Sequence, residues 1–233
     1  MKFNKIQAVC FDMWGTLYEG GGGKEWEDLQ QNLGARGVEK KTFYKLGLDS
    51  LLLQSWSLRD GIRYLAQKLT DITPLSSSVI LPPSTRGKDL IVEKAYRSWW
   101  QIVEKSKPYP ETIGLLKKLK RIGLRLIIIS NTDSESFYFK IKQYNLGEYF
   151  EKYFISSETG SLKHTGNLFQ SAQNYLKLPK DLILMVDDSF DHGVLPARKF
   201  GWQALLVARG KNSASRRKDK FKIEDLRGIF DYL

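Results

Sequence analysis

The chain has 233 residues, of which 42% are hydrophobic and 27% are charged. These values exclude a globally disordered chain and a collagen-like chain, because enough apolar residues are present to bury a core. The net charge of +11 is compatible with an anionic substrate, with a nucleic-acid partner or simply with a basic protein.

Cysteine and histidine are scarce. The single cysteine, Cys10, excludes an internal disulfide and a multi-cysteine zinc site, and the two histidines, His164 and His192, exclude a three-histidine metal centre. Residues 1–6 lack the apolar stretch of a signal peptide, and no apolar run approaches the ~20 residues that span a bilayer. We therefore expect a cytoplasmic protein that does not enter a membrane.

The first half of the chain is predicted to be one strand followed by helices. A short apolar run at residues 6–11 predicts a buried strand, which ends at Asp12. The four glycines at 20–23 predict a turn or hinge. Residues 24–105 show apolar residues at helical spacing, interrupted by a loop rich in Ser and Pro at 72–85.

Strands and helices alternate in the second half. Strands are predicted at 124–129, 153–157, 182–186 and 203–207, and helices at 111–122, 134–144, 168–176 and 195–200. Near-continuous apolar strands between helices are typical of parallel strands that are covered on both faces. The sequence therefore predicts an α/β fold, with a doubly wound parallel-sheet core at 1–18 and 106–233 and a mostly helical domain inserted at 19–105.

Polar side chains follow the carboxyl ends of the predicted strands. They are Asp12, Ser130, Asn131, Asp187 and Asp188, and Lys163 follows a further strand. Because ligands of open parallel sheets bind outside the carboxyl ends of the strands, we expect these side chains to form one site.

The residue types of this site suit a hydrolytic displacement. Asp12 can attack as a carboxylate nucleophile, and Lys163 can hold a substrate anion. The Ser130 hydroxyl and the Asn131 amide can donate hydrogen bonds to the reacting group. Asp188, together with Asp12, can hold Mg²⁺, which prefers hard oxygen ligands.

Four ordered motifs resemble those of the haloacid dehalogenase (HAD) superfamily of hydrolases. Residues 11–17, FDMWGTL, resemble the first motif, and Ile129-Ser130-Asn131 resembles the second. Residues 156–169, which include Lys163, resemble the third, and residues 186–202, which begin with Val-Asp-Asp-Ser, resemble the fourth. Each motif alone is weak, but their order and spacing together are specific.

The resemblance implies a Rossmann-like core whose inserted helical domain is a cap that closes over the site. It implies a Mg²⁺-dependent phosphatase that forms an aspartyl intermediate on a small phosphorylated substrate. The implied catalytic residues are Asp12 and Lys163, the substrate-binding residues are Trp14, Thr16, Ser130 and Asn131, and the metal ligands are Asp12, Trp14 through its carbonyl, Asp187 and Asp188.

The sequence departs from the phosphatase pattern at Trp14, where such enzymes usually carry a second aspartate that moves protons. Haloacid dehalogenases also lack this aspartate, so a 2-haloacid dehalogenase is an alternative, with Arg36 the nearest candidate for the substrate carboxylate. Dehalogenases, however, typically replace the acids that stand here at 187–188. The second acid of the fourth motif is also displaced, since Asp191 falls one position short of its usual place.

A third alternative is a catalytically impaired protein that binds an anion or a partner. Residues 208–222 hold seven Lys or Arg against one Asp and offer a basic surface. This stretch has no aromatic residue before Phe221, so a nucleic-acid partner is not favoured over a small anionic substrate. The sequence leaves the substrate and the oligomeric state open.

Overall fold

A sheet of six strands organises the computed structural model, which describes residues 5–20, 23–72, 85–210 and 218–233. The strands are β1 (Ala8–Phe11), β2 (Arg125–Ser130), β3 (Lys152–Ile155), β4 (Ile183–Asp187), β5 (Gln203–Val207) and β6 (Lys222–Ile223). Their order is β3-β2-β1-β4-β5-β6, and every neighbouring pair is parallel. The predicted α/β fold with a parallel sheet is confirmed.

The predicted helical insertion follows β1 and precedes β2. Its helices are α1 (Lys24–Asn32), α2 (Lys40–Gly47), α3 (Leu58–Ile72) and α4 (Thr85–Lys105), with a π-helical turn at Leu48–Leu52. These helices share a hydrophobic cluster of their own, which includes Leu29, Phe43, Ile62 and Trp99. The predicted loop at 72–85 and the glycines at 21–22 lie almost entirely outside the described residues.

Helices cover both faces of the sheet. They are α5 (Thr112–Arg121), α6 (Ser134–Gln143), α7 (Ser156–Thr159), α8 (Asn167–Leu176) and α9 (Leu195–Phe200). Alternate residues of β1 point to opposite faces, so Phe11 packs in the cluster beside α5 and α6 while Cys10 packs in the cluster beside α8 and α9. Within the described ranges, no helix is long and apolar enough to cross a membrane.

One predicted strand was too long, and one strand of the sheet was not predicted. The predicted strand at 153–157 ends at Ile155, because Ser156 and Ser157 already begin the short helix α7. Strand β6 was not predicted, because its two residues are too few to show a periodic pattern.

The two segments that connect the insertion to the rest of the chain, near Glu19 and near Lys107, are hydrogen-bonded to each other. The Glu19 N–H donates to the Lys107 carbonyl at 2.9 Å, and the Ser106 hydroxyl donates to the Glu19 carbonyl. Because β1 leads directly into the first of these segments, the insertion begins at the carboxyl edge of the sheet, where the strand ends carry their polar residues.

Candidate active site

Lys163 lies between two carboxylates at the carboxyl edge of the sheet. Its ammonium Nζ donates to Asp12 Oδ1 and to Asp187 Oδ2, both at 2.6 Å, and all three side chains are buried. Burial alone would lower the pKa of Lys163, but the charges of the two aspartates outweigh burial and raise this pKa above its usual range. The lysine is therefore a fixed positive charge next to Asp12.

Asp12 is held through one of its two carboxylate oxygens. Oδ1 accepts hydrogen bonds from Lys163 and, at 3.0 Å, from the Ser130 hydroxyl. The part of the chain that the structure describes provides no hydrogen bond to Oδ2. Register explains this placement, because Phe11 pairs with Ile128 of β2 and with Val186 of β4, so that the three strands end together.

Asp188 is positioned by the loop that follows β1. The Asp188 N–H donates to Thr16 Oγ1 at 3.0 Å. Gly15, at a φ of +79°, leaves the space in which the Asp188 carboxylate lies, and a Cβ at Gly15 would overlap that carboxylate. Burial, together with the charges of Asp187 and Asp12, raises the pKa of Asp188 well above its usual value.

Three carboxylates form a compact oxygen cluster. One oxygen each of Asp12, Asp187 and Asp188 lies within 4.8 Å of the others. Burial raises the pKa of Asp187 to about 6 against the opposing charge of Lys163. A cluster of hard anionic oxygens is the donor set that Mg²⁺ requires, so these residues fit the predicted ion.

Asp187 occupies the space beside Gly193, where a side chain would overlap its carboxylate. Its Oδ1 accepts the Ser189 N–H at 2.8 Å, so Asp187 also caps the segment that follows it. Asp191, which the sequence left as a doubtful second acid, is not a member of the carboxylate cluster.

Asn131 contributes to the site in two ways. Its Oδ1 accepts the Lys163 backbone N–H at 2.9 Å, which leaves the amide NH₂ to donate elsewhere. Thr16 and Ser130, both predicted to bind substrate, are buried behind the carboxylates, where they hydrogen-bond to Asp188 and Asp12.

Trp14 forms part of the cavity wall. Its indole Nε1 donates to Thr132 Oγ1 at 3.0 Å, which fixes the half-buried ring. Sequence reasoning did not identify Thr132, although its position directly after Asn131 in the loop that follows β2 was a usable signal.

A cavity of about 280 Å³ joins the strand ends to the inserted helices. We call Asp12, Asn131, Lys163, Asp187 and Asp188 the floor of this cavity. We call Glu25, Trp26, Tyr44 and Trp99, which line it from α1, α2 and α4, the roof. Sequence reasoning did not identify the roof as part of the site, because no motif marks these residues.

Two further predicted candidates lie apart from the floor. Arg36 is exposed and does not line the cavity. Of the basic stretch at 208–222, Arg209 is committed to structure, since it donates to the Thr16 carbonyl at 3.1 Å and forms an ion pair with Glu111 at 2.6 Å. Residues 211–217 lie outside the described residues, so the predicted basic surface is not described as a whole.

Comparisons with known proteins show the family to which the chain belongs. The family described as haloacid dehalogenase-like hydrolase matches residues 6–201. A glyceraldehyde 3-phosphate phosphatase of Methanothermobacter thermautotrophicus is 28% identical over 110 residues, 47% of this chain and 49% of that protein. The matched part of this chain thus spans about half the length of that relative.

Two further similarities cover most of the chain. Haloacetate dehalogenase H-2 of Moraxella sp. is 21% identical over 205 residues, which are 88% of this chain and 87% of the dehalogenase. The crystal structure of a HAD phosphatase from Thermococcus onnurineus superposes with a TM-score of 0.62 at 18% identity and covers 97% of both chains. At this identity the superposition shows a shared fold.

Proposed function

Because the chain belongs to the haloacid dehalogenase-like hydrolases, we propose that it is a Mg²⁺-dependent phosphatase acting on a small phosphorylated substrate. The observation that carries this proposal is the cluster of Asp12, Asp187 and Asp188 around the ammonium of Lys163. We further propose that residues 19–105 act as a cap domain on a core formed by 1–18 and 106–233.

Several residues at the floor would coordinate the ion. Asp12 and Asp188 would hold Mg²⁺, with the Trp14 carbonyl as a backbone ligand and Asp187 at the third corner of the cluster. When bound, the ion would offset the negative charge of the carboxylates and of the phosphoryl group. Lys163 contributes a positive charge of its own, which the ion does not replace.

Asp12 is the nucleophile of the proposed reaction. Its unbonded Oδ2 attacks phosphorus, the bond between phosphorus and the ester oxygen breaks, and the leaving alkoxide takes a proton from water. Water then attacks phosphorus of the aspartyl phosphate, which releases inorganic phosphate and restores the Asp12 carboxylate. Lys163 and the free amide NH₂ of Asn131 hold the phosphoryl oxygens, while Ser130 orients Asp12.

Trp14 sets a limit on the leaving group. An indole neither gives nor takes a proton near neutral pH, so the residue at this position supplies no general acid for the departing alkoxide. General acid–base catalysis contributes typically ~10²–10⁴-fold. We therefore expect faster turnover of esters whose leaving groups need little protonation.

Dehalogenation remains the second candidate, and Trp14 is the residue that favours it, because halide leaves without a proton. This alternative needs a cation for the substrate carboxylate, and the sequence candidate for that role, Arg36, lies outside the cavity. Among the described residues, no arginine lines the cavity, so a 2-halo acid would find only Lys163 for its carboxylate. This distribution of charge favours the phosphatase.

The direct test is release of nitrophenol from para-nitrophenyl phosphate. Wild type should turn over the ester with Mg²⁺ and stop in chelator, and Asp12→Asn should reduce turnover by at least about 10³-fold, as expected for a lost nucleophile. Asp181→Asn is the matched control, because the exposed Asp181 lies just before the other end of β4. Equal activity of wild type and Asp12→Asn would refute the mechanism; chelator-resistant chloride release from a 2-halo acid would favour the dehalogenase.

A further inference from the structure

The charge of the cavity is opposite in sign to that of the protein. The whole chain carries +11. Among the described residues, however, the carboxylates that line the cavity are opposed by one lysine and by no arginine; they are Asp12, Glu19, Glu25, Asp133, Asp187 and Asp188. Among the described residues, a second anionic group on a substrate would find no cationic side chain beyond Lys163, which, with the proposed Mg²⁺, already faces the phosphoryl group.

Three aromatic rings form the rest of the roof, and one of them, Trp26, directly follows Glu25 in the sequence. The Trp26 ring meets the Tyr44 ring with centroids 5.0 Å apart at 74°, and it meets the Trp99 ring at 5.2 Å and 88°. The Trp26 ring also packs so closely on Gly47 that a Cβ there would overlap it. The three rings therefore form a fixed aromatic corner beside the cavity.

Glu25 is a partly buried carboxylate without a cationic partner. In the described ranges of the chain it forms no ion pair, whereas Glu27, two residues on, pairs with Lys40 at the surface at 2.9 Å. Burial raises the pKa of Glu25. Burial and the charge of Glu25 raise the pKa of the Tyr44 phenol, while the charge of Lys163 lowers it.

From this combination, the geometry points to a phosphate monoester of an amino alcohol as the substrate class, with the phosphoryl group on the floor and the ammonium group in the roof. Aromatic faces with a nearby carboxylate attract ammonium and quaternary ammonium groups, because the ring quadrupole and the anion both favour a cation. The inference rests on the proposed phosphatase function and adds the identity of the group that the roof binds.

The same assignment suits the leaving group. A positive charge close to the ester oxygen stabilises the alkoxide that departs when the bond to phosphorus breaks. The alcohol of such a substrate therefore needs less help from a general acid than a simple alkanol does. This property matches a site that has Trp14 in place of a proton donor.

The test compares phosphocholine and phosphoethanolamine with 3,3-dimethylbutyl phosphate, which has the shape of phosphocholine without its charge. With Mg²⁺, wild type should hydrolyse at least one cationic ester with a kcat/KM at least about tenfold above that of the neutral ester. Whichever of phosphocholine and phosphoethanolamine has the higher kcat/KM shows whether the roof prefers a quaternary or a primary ammonium group. Glu25→Gln should lower this preference about tenfold, whereas Glu27→Gln should change neither the preference nor the turnover of para-nitrophenyl phosphate.

A binding measurement keeps this inference separate from the proposed function. Calorimetric titration with tetramethylammonium chloride should show binding to wild type that Glu25→Gln weakens about tenfold. Nitrophenyl phosphatase activity without any preference for the cationic esters would overturn the inference and leave the phosphatase standing. Cation binding without any phosphatase activity would refute the phosphatase and retain the roof as a cation site; absence of tetramethylammonium binding would overturn the roof assignment.

Discussion

The floor and the roof of the cavity are built by different means. On the floor, hydrogen bonds between side chains at the ends of β1, β2 and β4 fix each group, as Lys163 does for Asp12 and Asp187. In the roof, ring packing places Trp26 and Tyr44 on two short helices of the insertion. Under the two proposals above, the charged floor would carry the reaction, whereas the aromatic roof with Glu25 would select the substrate. Substitutions in the floor should therefore lower the rate with every substrate, whereas substitutions in the roof should change the preference among substrates.

The largest effect is expected where a buried charge loses its partner. Lys163→Met leaves Asp12 and Asp187 as neighbouring buried carboxylates, so we expect a loss of about 3–5 kcal/mol in the free energy of unfolding and of ~10²–10³-fold in nitrophenyl phosphatase activity. Urea unfolding and the activity assay measure the two losses.

The insertion supplies the control for this charge. Lys40→Met breaks the exposed ion pair with Glu27 and should leave the free energy of unfolding nearly unchanged, because water screens both charges. Equal losses in the two variants would contradict the distinction between the buried floor and the solvated surface.

A buried aspartate beside the floor should make stability depend on pH. Asp133 caps α6, accepting the Ser136 N–H at 2.7 Å, and burial raises its pKa to about 6. Between about pH 4 and pH 6 the folded protein binds a proton that the unfolded chain has lost, so the contribution of Asp133 to stability falls as the pH rises through this window. Relative to Asp133→Asn, which keeps the cap, wild type should lose about 3 kcal/mol between pH 4 and pH 7.

The half-buried capping aspartate Asp225 should make stability depend on pH in the opposite direction. Hydrogen bonds from Arg227 lower the pKa of Asp225, so its contribution to stability is present above the unfolded pKa and is lost as the pH falls. Urea unfolding of Asp133→Asn and Asp225→Asn across the same pH range should therefore show differences from wild type that run in opposite directions. Parallel pH profiles would count against the assigned cause, which is burial at Asp133 and a cation at Asp225.

A Gly→Ala substitution, which adds one methyl group, can be made beside the floor at Gly193 and beside the roof at Gly47. Gly193→Ala displaces the Asp187 carboxylate and should lower turnover of every phosphate ester by ~10²-fold, as for a lost group that stabilises the transition state. Gly47→Ala displaces the Trp26 ring and should change the ranking of substrates while leaving nitrophenyl phosphate turnover within about twofold. Steady-state kinetics on a panel of esters measures both, and the comparison fails if the two variants lose activity uniformly.

The sequence predicted the floor because topology determines it. Parallel strands bring their carboxyl ends to one edge, so Asp12, Ser130 and Asp187 meet whatever the helices do. The roof could not be predicted in this way. The contact between Trp26 and Trp99 joins α1 to α4 across more than seventy residues, and it depends on packing angles that helical periodicity does not encode. The contact between the Asp187 carboxylate and Gly193 could not be predicted from the sequence either, because it depends on the conformation of the loop that follows β4.

The smallest predicted effect is a gain of activity, and it concerns Trp14 in the wall of the cavity. Trp14→Asp places a carboxyl group where the motif resemblance leads us to expect a proton donor, so turnover of a simple alkyl phosphate should rise by at least about tenfold relative to nitrophenyl phosphate. Trp14→Asn loses the same ring and the same bond to Thr132 but cannot move a proton, so any effect of removing bulk appears in both variants. A rise confined to Trp14→Asp would assign the weak point of this site to proton transfer. An equal rise in both variants would show that the bulk of the indole limits turnover. The size of the cavity would then restrict the choice of substrate more than the need of the leaving group for a proton.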